Sequence, residues 1–153
     1  MHAPDRSVDV TDSFPATVRV AAVQATPVFL DRDATVDKAC DRIAEAGRNG
    51  AELAVFPEGF IPTYPFWAWF IPPYRTKELR HLYELLLQQS VTVPGPVVDE
   101  LGQAARDAGM AIVMGINERD DGGTGTTLYN SLLFIGPDGR LLGHHRKLIP
   151  TVA

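Results

Sequence analysis

Short apolar runs alternate with helical stripes over the first two thirds of the chain. Val18 to Ala25 (VRVAAVQA), rich in small and β-branched residues, predicts a first strand. Behind Asp31 and Asp33, either of which can cap a helix, Val36, Ala39, Cys40 and Ile43 recur at helical spacing to about Gly47. Asn49-Gly50 stops that helix. Leu53 to Phe56 is apolar throughout, the pattern of a short strand covered on both faces. Thr76 can cap a second helix reaching about Gln89, with Leu79, Leu82, Tyr83 and Leu86 as its buried stripe. Pro94-Gly95-Pro96 then breaks the chain, and Pro96 suits the first turn of a third helix. Val97, Leu101, Ala104, Ala105 and Ala108 line one face of that helix, and Gly109 ends it.

From Ala111 onward the period changes. Ala111 to Ile116 is an apolar strand, and Asp120 to Thr126 is a glycine-rich turn. Leu128 to Ile135 and Leu141 to Lys147 are two more strands, joined by Gly136-Pro137-Asp138-Gly139, a strong turn signal. Units of strand, helix and strand come first and consecutive strands follow, which predicts an α/β layered fold with a mixed sheet. Asp121-Gly122-Gly123-Thr124-Gly125 lacks the Gly-Lys-Ser/Thr ending of a phosphate loop and no helix follows it, so it reads as a hairpin connection.

Composition narrows the picture. A length of 153 residues suits one domain. The formal net charge of -5 argues against a nucleic-acid or anionic-membrane surface, which needs clustered Lys and Arg. No apolar run approaches the roughly 20 residues of a membrane span. Residues 1–17 hold Asp5, Asp9, Asp12 and two prolines without an apolar segment. They read as a flexible N-terminal tail rather than a secretory signal, leaving 18–153 as the domain. Cys40 is the one cysteine, so no internal disulfide forms, and this fits a reducing cytoplasm. None of His2, His81, His144 and His145 has zinc-type spacing with Cys40, so no metal is expected.

Two charged places then stand out. Glu58 leaves the apolar run through Pro57 into a stretch crowded with Phe60, Tyr64, Phe66, Trp67, Trp69, Phe70 and Tyr74. An apolar wall raises the cost of ionising a carboxylate and tunes it as a base, whereas without such a wall Glu58 simply turns into solvent. His144-His145-Arg146-Lys147 closes the last strand. Such a cluster is either a solvated edge or the source of one ammonium turned inward toward Glu58. Tyr64, Trp67 and Trp69 are candidates for a substrate pocket, for packing or for a subunit contact. Glu118 reads as a structural partner for Arg119 or a backbone amide.

Ala54-Val55-Phe56-Pro57-Glu58-Gly59-Phe60-Ile61-Pro62-Thr63-Tyr64-Pro65 resembles the glutamate motif of the nitrilase branch of the carbon–nitrogen hydrolase superfamily. His145-Arg146-Lys147-Leu148-Ile149-Pro150-Thr151 resembles that family's lysine motif. Val23-Gln24-Ala25, Val91 to Pro96, Gly115 to Arg119 and Tyr129-Asn130-Ser131 are similar to further nitrilase segments, in the expected order. The resemblance implies part of a four-layer αββα sandwich, a mixed sheet with helices on one face. It also implies a Glu-Lys-Cys catalytic set with Glu58 as general base and Lys147 stabilising the tetrahedral intermediate. Tyr64 and Trp67 would shape the substrate pocket. No cofactor or metal is implied.

In the family the nucleophilic cysteine and a supporting glutamate lie beyond the lysine motif, so the expectation is a domain truncated before its nucleophile. Cys40, on an apolar stripe, is expected to pack rather than react. The function implied is hydrolysis of a nitrile to a carboxylic acid and ammonia through a cysteine thioimidate, with residues 1–153 carrying only the Glu and Lys of the catalytic set and inactive alone. An amidase or carbamoylase of the same superfamily, and a non-catalytic fragment that only associates with a partner, are the alternatives. The expected partners are a small-molecule nitrile or amide and further copies in a homo-oligomer, in the cytoplasm.

Overall fold

A computed structural model describes residues 17–120, 122 and 125–149. Five strands form one sheet in chain order: β1 (Val20–Ala22), β2 (Leu53–Val55), β3 (Ala111–Arg119), β4 (Leu128–Ile135) and β5 (Leu141–Arg146). β1, β2 and β3 run parallel, and β4 and β5 are added antiparallel. The α-helices among the described residues are α1 (Arg32–Arg48), α2 (Thr76–Gln89) and α3 (Pro96–Ala108). The mixed α/β sheet is therefore the one that the change of period predicts. β3 extends past Ile116 because Asn117, Glu118 and Arg119 stay in register with Asn130, Tyr129 and Leu128, polar though they are. β1 is shorter than its apolar run. The tail expected at residues 1–17 lies, except for Thr17, outside the described residues.

Helix boundaries follow their caps. Asp31 accepts the Ala34 N–H at 3.0 Å and opens α1, meeting donors that a helix start leaves unpaired. Pro96 occupies the first turn of α3, and Gly109 closes it in the left-handed region at φ 63°. Thr76 is the first residue of α2 rather than its cap. Arg75 precedes it and pairs with Glu78 one turn on.

α1 and α3 lie together on one face of the sheet. Val36, Ala39, Ile43, Leu101 and Ala105 from these helices share a core with Ala54, Ile112, Met114, Ile116, Leu133 and Ile135. By strand alternation those sheet positions all point the same way. The opposite face carries Val20, Val55 and Phe134, which are 52%, 36% and 38% exposed. The sequence pattern suggested that β2 is covered on both faces. Here only Ala54 is, because both helices pack on its side. Apolar surface of this kind drives association. Residues 1–153 are accordingly expected to self-associate at micromolar concentration in light scattering, and a sharp monomeric profile would contradict this.

Candidate active site

The site begins where β2 stops being a strand. Phe56 donates its N–H to Val113 O at 2.9 Å, and Ile61 donates to Gly115 O at 3.2 Å. Residues 57–60 therefore bulge out between two successive acceptors of β3. Gly115 makes room for the bulge: a Cβ there would stand 2.1 Å from Pro57 O. Gly59, at φ 57°, turns the chain back. Phe60 anchors the far end, buried against Phe56 with ring centroids 5.3 Å apart. Asn117 of β3 completes the frame by donating to Thr63 O at 2.9 Å.

This bulge projects Glu58 over the face that the helices leave open. Asn130 of β4 and Lys147, the residue after β5, lie on that face, since their neighbours Ser131 and Arg146 point to the other. Asn130 Nδ2 donates to Glu58 Oε1. Lys147 Nζ donates to the same oxygen at 2.9 Å across 89 positions of sequence. The Lys147 N–H in turn bonds Asn130 O at 2.8 Å, so the three residues fix one another.

The Lys147 ammonium holds the Glu58 carboxyl below the usual glutamate range; partial burial pushes upward and the Asn130 amide pulls down with the lysine. The sequence left two readings of Glu58 open, a carboxylate tuned by an aromatic wall and one turned into solvent. The side chain is 49% exposed, and the adjacent cation outweighs desolvation.

Beside this pair opens a cleft of about 850 Å³. Asn130 and Lys147 form its polar edge, Tyr64 and Trp67 one wall, and Leu79, Tyr83 and Leu86 of α2 another. Glu58 is not itself a lining residue and meets the cleft through Asn130 and Lys147. The stripe expected to bury α2 in the core instead faces this cleft: of its four residues only Leu86 is buried, and Tyr83 is 43% exposed and donates to Thr126 O at 2.7 Å. Trp67 is 7% exposed and packs edge-on to Phe29, so it serves packing and cleft together. Trp69 is 56% exposed and away from the cleft.

Ser131, His144 and Arg146 hold the Glu118 carboxylate on the helix side of the sheet. Cys40 lies on α1 in the groove against α3, on the helix side of the sheet and away from the lysine. Burial, then the neighbouring carboxylates of Glu100, Asp37 and Asp41, push its thiol up to about 11, which leaves little thiolate at neutral pH. Among the described residues no cluster of metal-ligating side chains occurs. The role of Asn130 was not read from the sequence. A lone amide inside the apolar strand LYNSLLFI was the available signal, because a polar side chain there needs a partner.

Comparison with known proteins adds to this geometry. The carbon–nitrogen hydrolase family model matches residues 19–152. An aliphatic nitrilase from Rhodococcus rhodochrous is 46% identical over 135 residues, covering 88% of this chain and 35% of that protein. Nitrilase 3 from an unknown prokaryotic organism is 44% identical over 138 residues, covering 88% of this chain and 39% of its own length. Among solved structures, an amidase from Nesterenkonia sp. matches with a TM-score of 0.57 at 20% identity, over 89% of this chain and 44% of that one. The C. elegans NitFhit protein matches with a TM-score of 0.62 at 18% identity, over 88% and 28% respectively. At such identities the structural likeness is one of fold. The chain thus spans well under half the length of the relatives it matches.

Proposed function

We propose, since this chain belongs to the carbon–nitrogen hydrolase family, that it carries the acid–base part of a nitrilase site, with Glu58 as general base and Lys147 as electrostatic stabiliser. One observation supports this above the others: Lys147 Nζ and Glu58 Oε1, 89 residues apart, meet at 2.9 Å beside an apolar cleft.

A nitrile carbon is a poor electrophile toward water, so a thiolate attacks it in this reading. Glu58 takes the thiol proton as the carbon–sulfur bond forms. The electron pair released from the C≡N bond settles on nitrogen, where the Lys147 ammonium lies ready to donate. Glu58 then passes that proton to the nitrogen and, ionised again, deprotonates a water that adds to the thioimidate carbon. The carbon–nitrogen bond breaks to release ammonia, and a second water activated by the same carboxylate cleaves the acyl–sulfur bond, releasing the carboxylic acid and restoring the thiol. Glu58 is ionised at neutral pH because Lys147 holds it so, and closure of the cleft would raise its proton affinity by desolvation. Cys40 is not the nucleophile in this scheme, given its place in the helix layer. The thiol comes from outside residues 1–153.

Tyr64, Trp67 and Tyr83 would receive the organic part of the substrate, since rigid rings bury area at small entropic cost. The test is ammonia release from a matched nitrile and amide by the protein extended to the length of its relatives. Faster release from the nitrile supports the nitrilase reading. Release from the amide alone transfers the site to an amidase or carbamoylase. Turnover by residues 1–153 themselves contradicts the assignment of the nucleophile and the expectation that this stretch alone only associates.

A further inference from the structure

On the helix side of the sheet, behind Lys147, one carboxylate gathers three side chains. Glu118 of β3 is 1% exposed. It accepts the Ser131 hydroxyl of β4 at 2.6 Å and the Arg146 Nη2 of β5 at 2.6 Å, and His144 Nε2 of β5 lies 2.7 Å away. Arg146 also stands 4.0 Å over the Tyr129 ring on the same face. The chemistry assigned to Glu58 and Lys147 uses none of these groups.

β5 has few other holds. Leu141 and Leu142 are 39% and 67% exposed, so apolar burial contributes little to fixing this edge strand. Its backbone ladder to β4 does not by itself select a register, and a slip of one residue would exchange the faces of Arg146 and Lys147. A buried carboxylate that accepts Arg146 on one side of the strand selects which residue points to the other. In some systems buried polar or ionic groups specify register rather than add stability.

We propose that Glu118 is a positioning residue: by gripping Arg146 and His144 from behind the sheet, it sets the register of the end of β5 and so delivers the Lys147 ammonium to Glu58. This rests on the reading of Glu58 and Lys147 as a working pair. Burial pushes the Glu118 carboxyl up, but Arg146, Ser131 and His144 outweigh it and keep the group ionised, so the grip persists at neutral pH.

The test follows the Glu58 carboxyl carbon by NMR through an acid titration of the 153-residue chain. Glu118→Gln keeps the shape of the side chain and removes the charge. It is expected to raise the Glu58 midpoint toward the value seen in Lys147→Met, while the methyl signals of Ile112 and Met114 in the core stay in place. Arg146→Lys keeps the charge but loses the two-nitrogen grip, and is expected to give a partial rise; it decides the matter alone if Glu118→Gln does not fold. An unchanged Glu58 midpoint in a folded Glu118 or Arg146 variant, alongside a raised one in Lys147→Met, overturns the positioning role. An unchanged midpoint in Lys147→Met shows instead that the Glu58–Lys147 pairing fails, and the proposal falls with it.

Discussion

Replacing Glu58 by Gln, in the protein extended to the length of its relatives, is expected to lower kcat for a nitrile by roughly two to four orders of magnitude, the usual contribution of a positioned base. The substitution is chosen for what it retains. The Gln amide oxygen still accepts from Asn130 and Lys147, so the bulge and the end of β5 stay in place. Only the capacity to take a proton is lost. KM should change little, because the walls of the cleft come from Tyr64, Trp67 and α2 rather than from Glu58. Steady-state ammonia release on the two proteins checks both parts. A Gln variant within a few fold of the parent would remove Glu58 from the chemistry.

Gly115→Ala is the second substitution with a large expected effect, although its side chain touches no substrate. The added Cβ would stand 2.1 Å from Pro57 O, 2.9 Å from Gly59 N and 3.0 Å from the Glu58 Cα. All three are backbone atoms of the bulge, and no side chain can swing aside to relieve them. The bulge must lift from β3, at the expense of the Ile61 to Gly115 hydrogen bond and of the reach of Glu58 to Asn130 and Lys147. Overpacking of this kind costs about 1–3 kcal/mol. Gly122→Ala is the control, since its added Cβ would meet nothing nearer than Asp120 Oδ1 at 3.5 Å. Urea midpoints of the two variants should separate clearly, and equal midpoints would contradict the close approach.

Much of the sheet was legible from period alone. Runs such as Leu128 to Ile135 and caps such as Asp31 and Gly109 are local signals, and the structure places those elements where they point. The exposure of Val55 was not legible. An apolar triplet reads alike whether one face or two is covered, and what covers a face is set by distant helices. The stripe on α2 misled for a related reason, because a cleft wall and a core face share helical spacing. Glu58 and Lys147 were found as motifs, but their contact depends on a bulge over Gly115 and on the register of β5, neither of which sequence spacing encodes. The electrostatics of Glu58 stayed open for the same cause: aromatic neighbours in sequence predict desolvation, an inward-turned ammonium predicts the opposite, and the neighbour in space is that cation.

The proposed chemistry requires two head groups to meet, and a site-resolved acid titration of Glu58 in the parent chain and in Lys147→Met tests that most directly. A carboxyl held below its unfolded value contributes stability above that value and loses it as pH falls through the folded one. In the parent, Glu58 should accordingly stay ionised to a lower pH than an ordinary glutamate. Without the lysine its midpoint should move back up into the ordinary range. Identical midpoints in the two proteins would mean that ammonium and carboxylate do not meet in solution, and the catalytic reading would have no foundation.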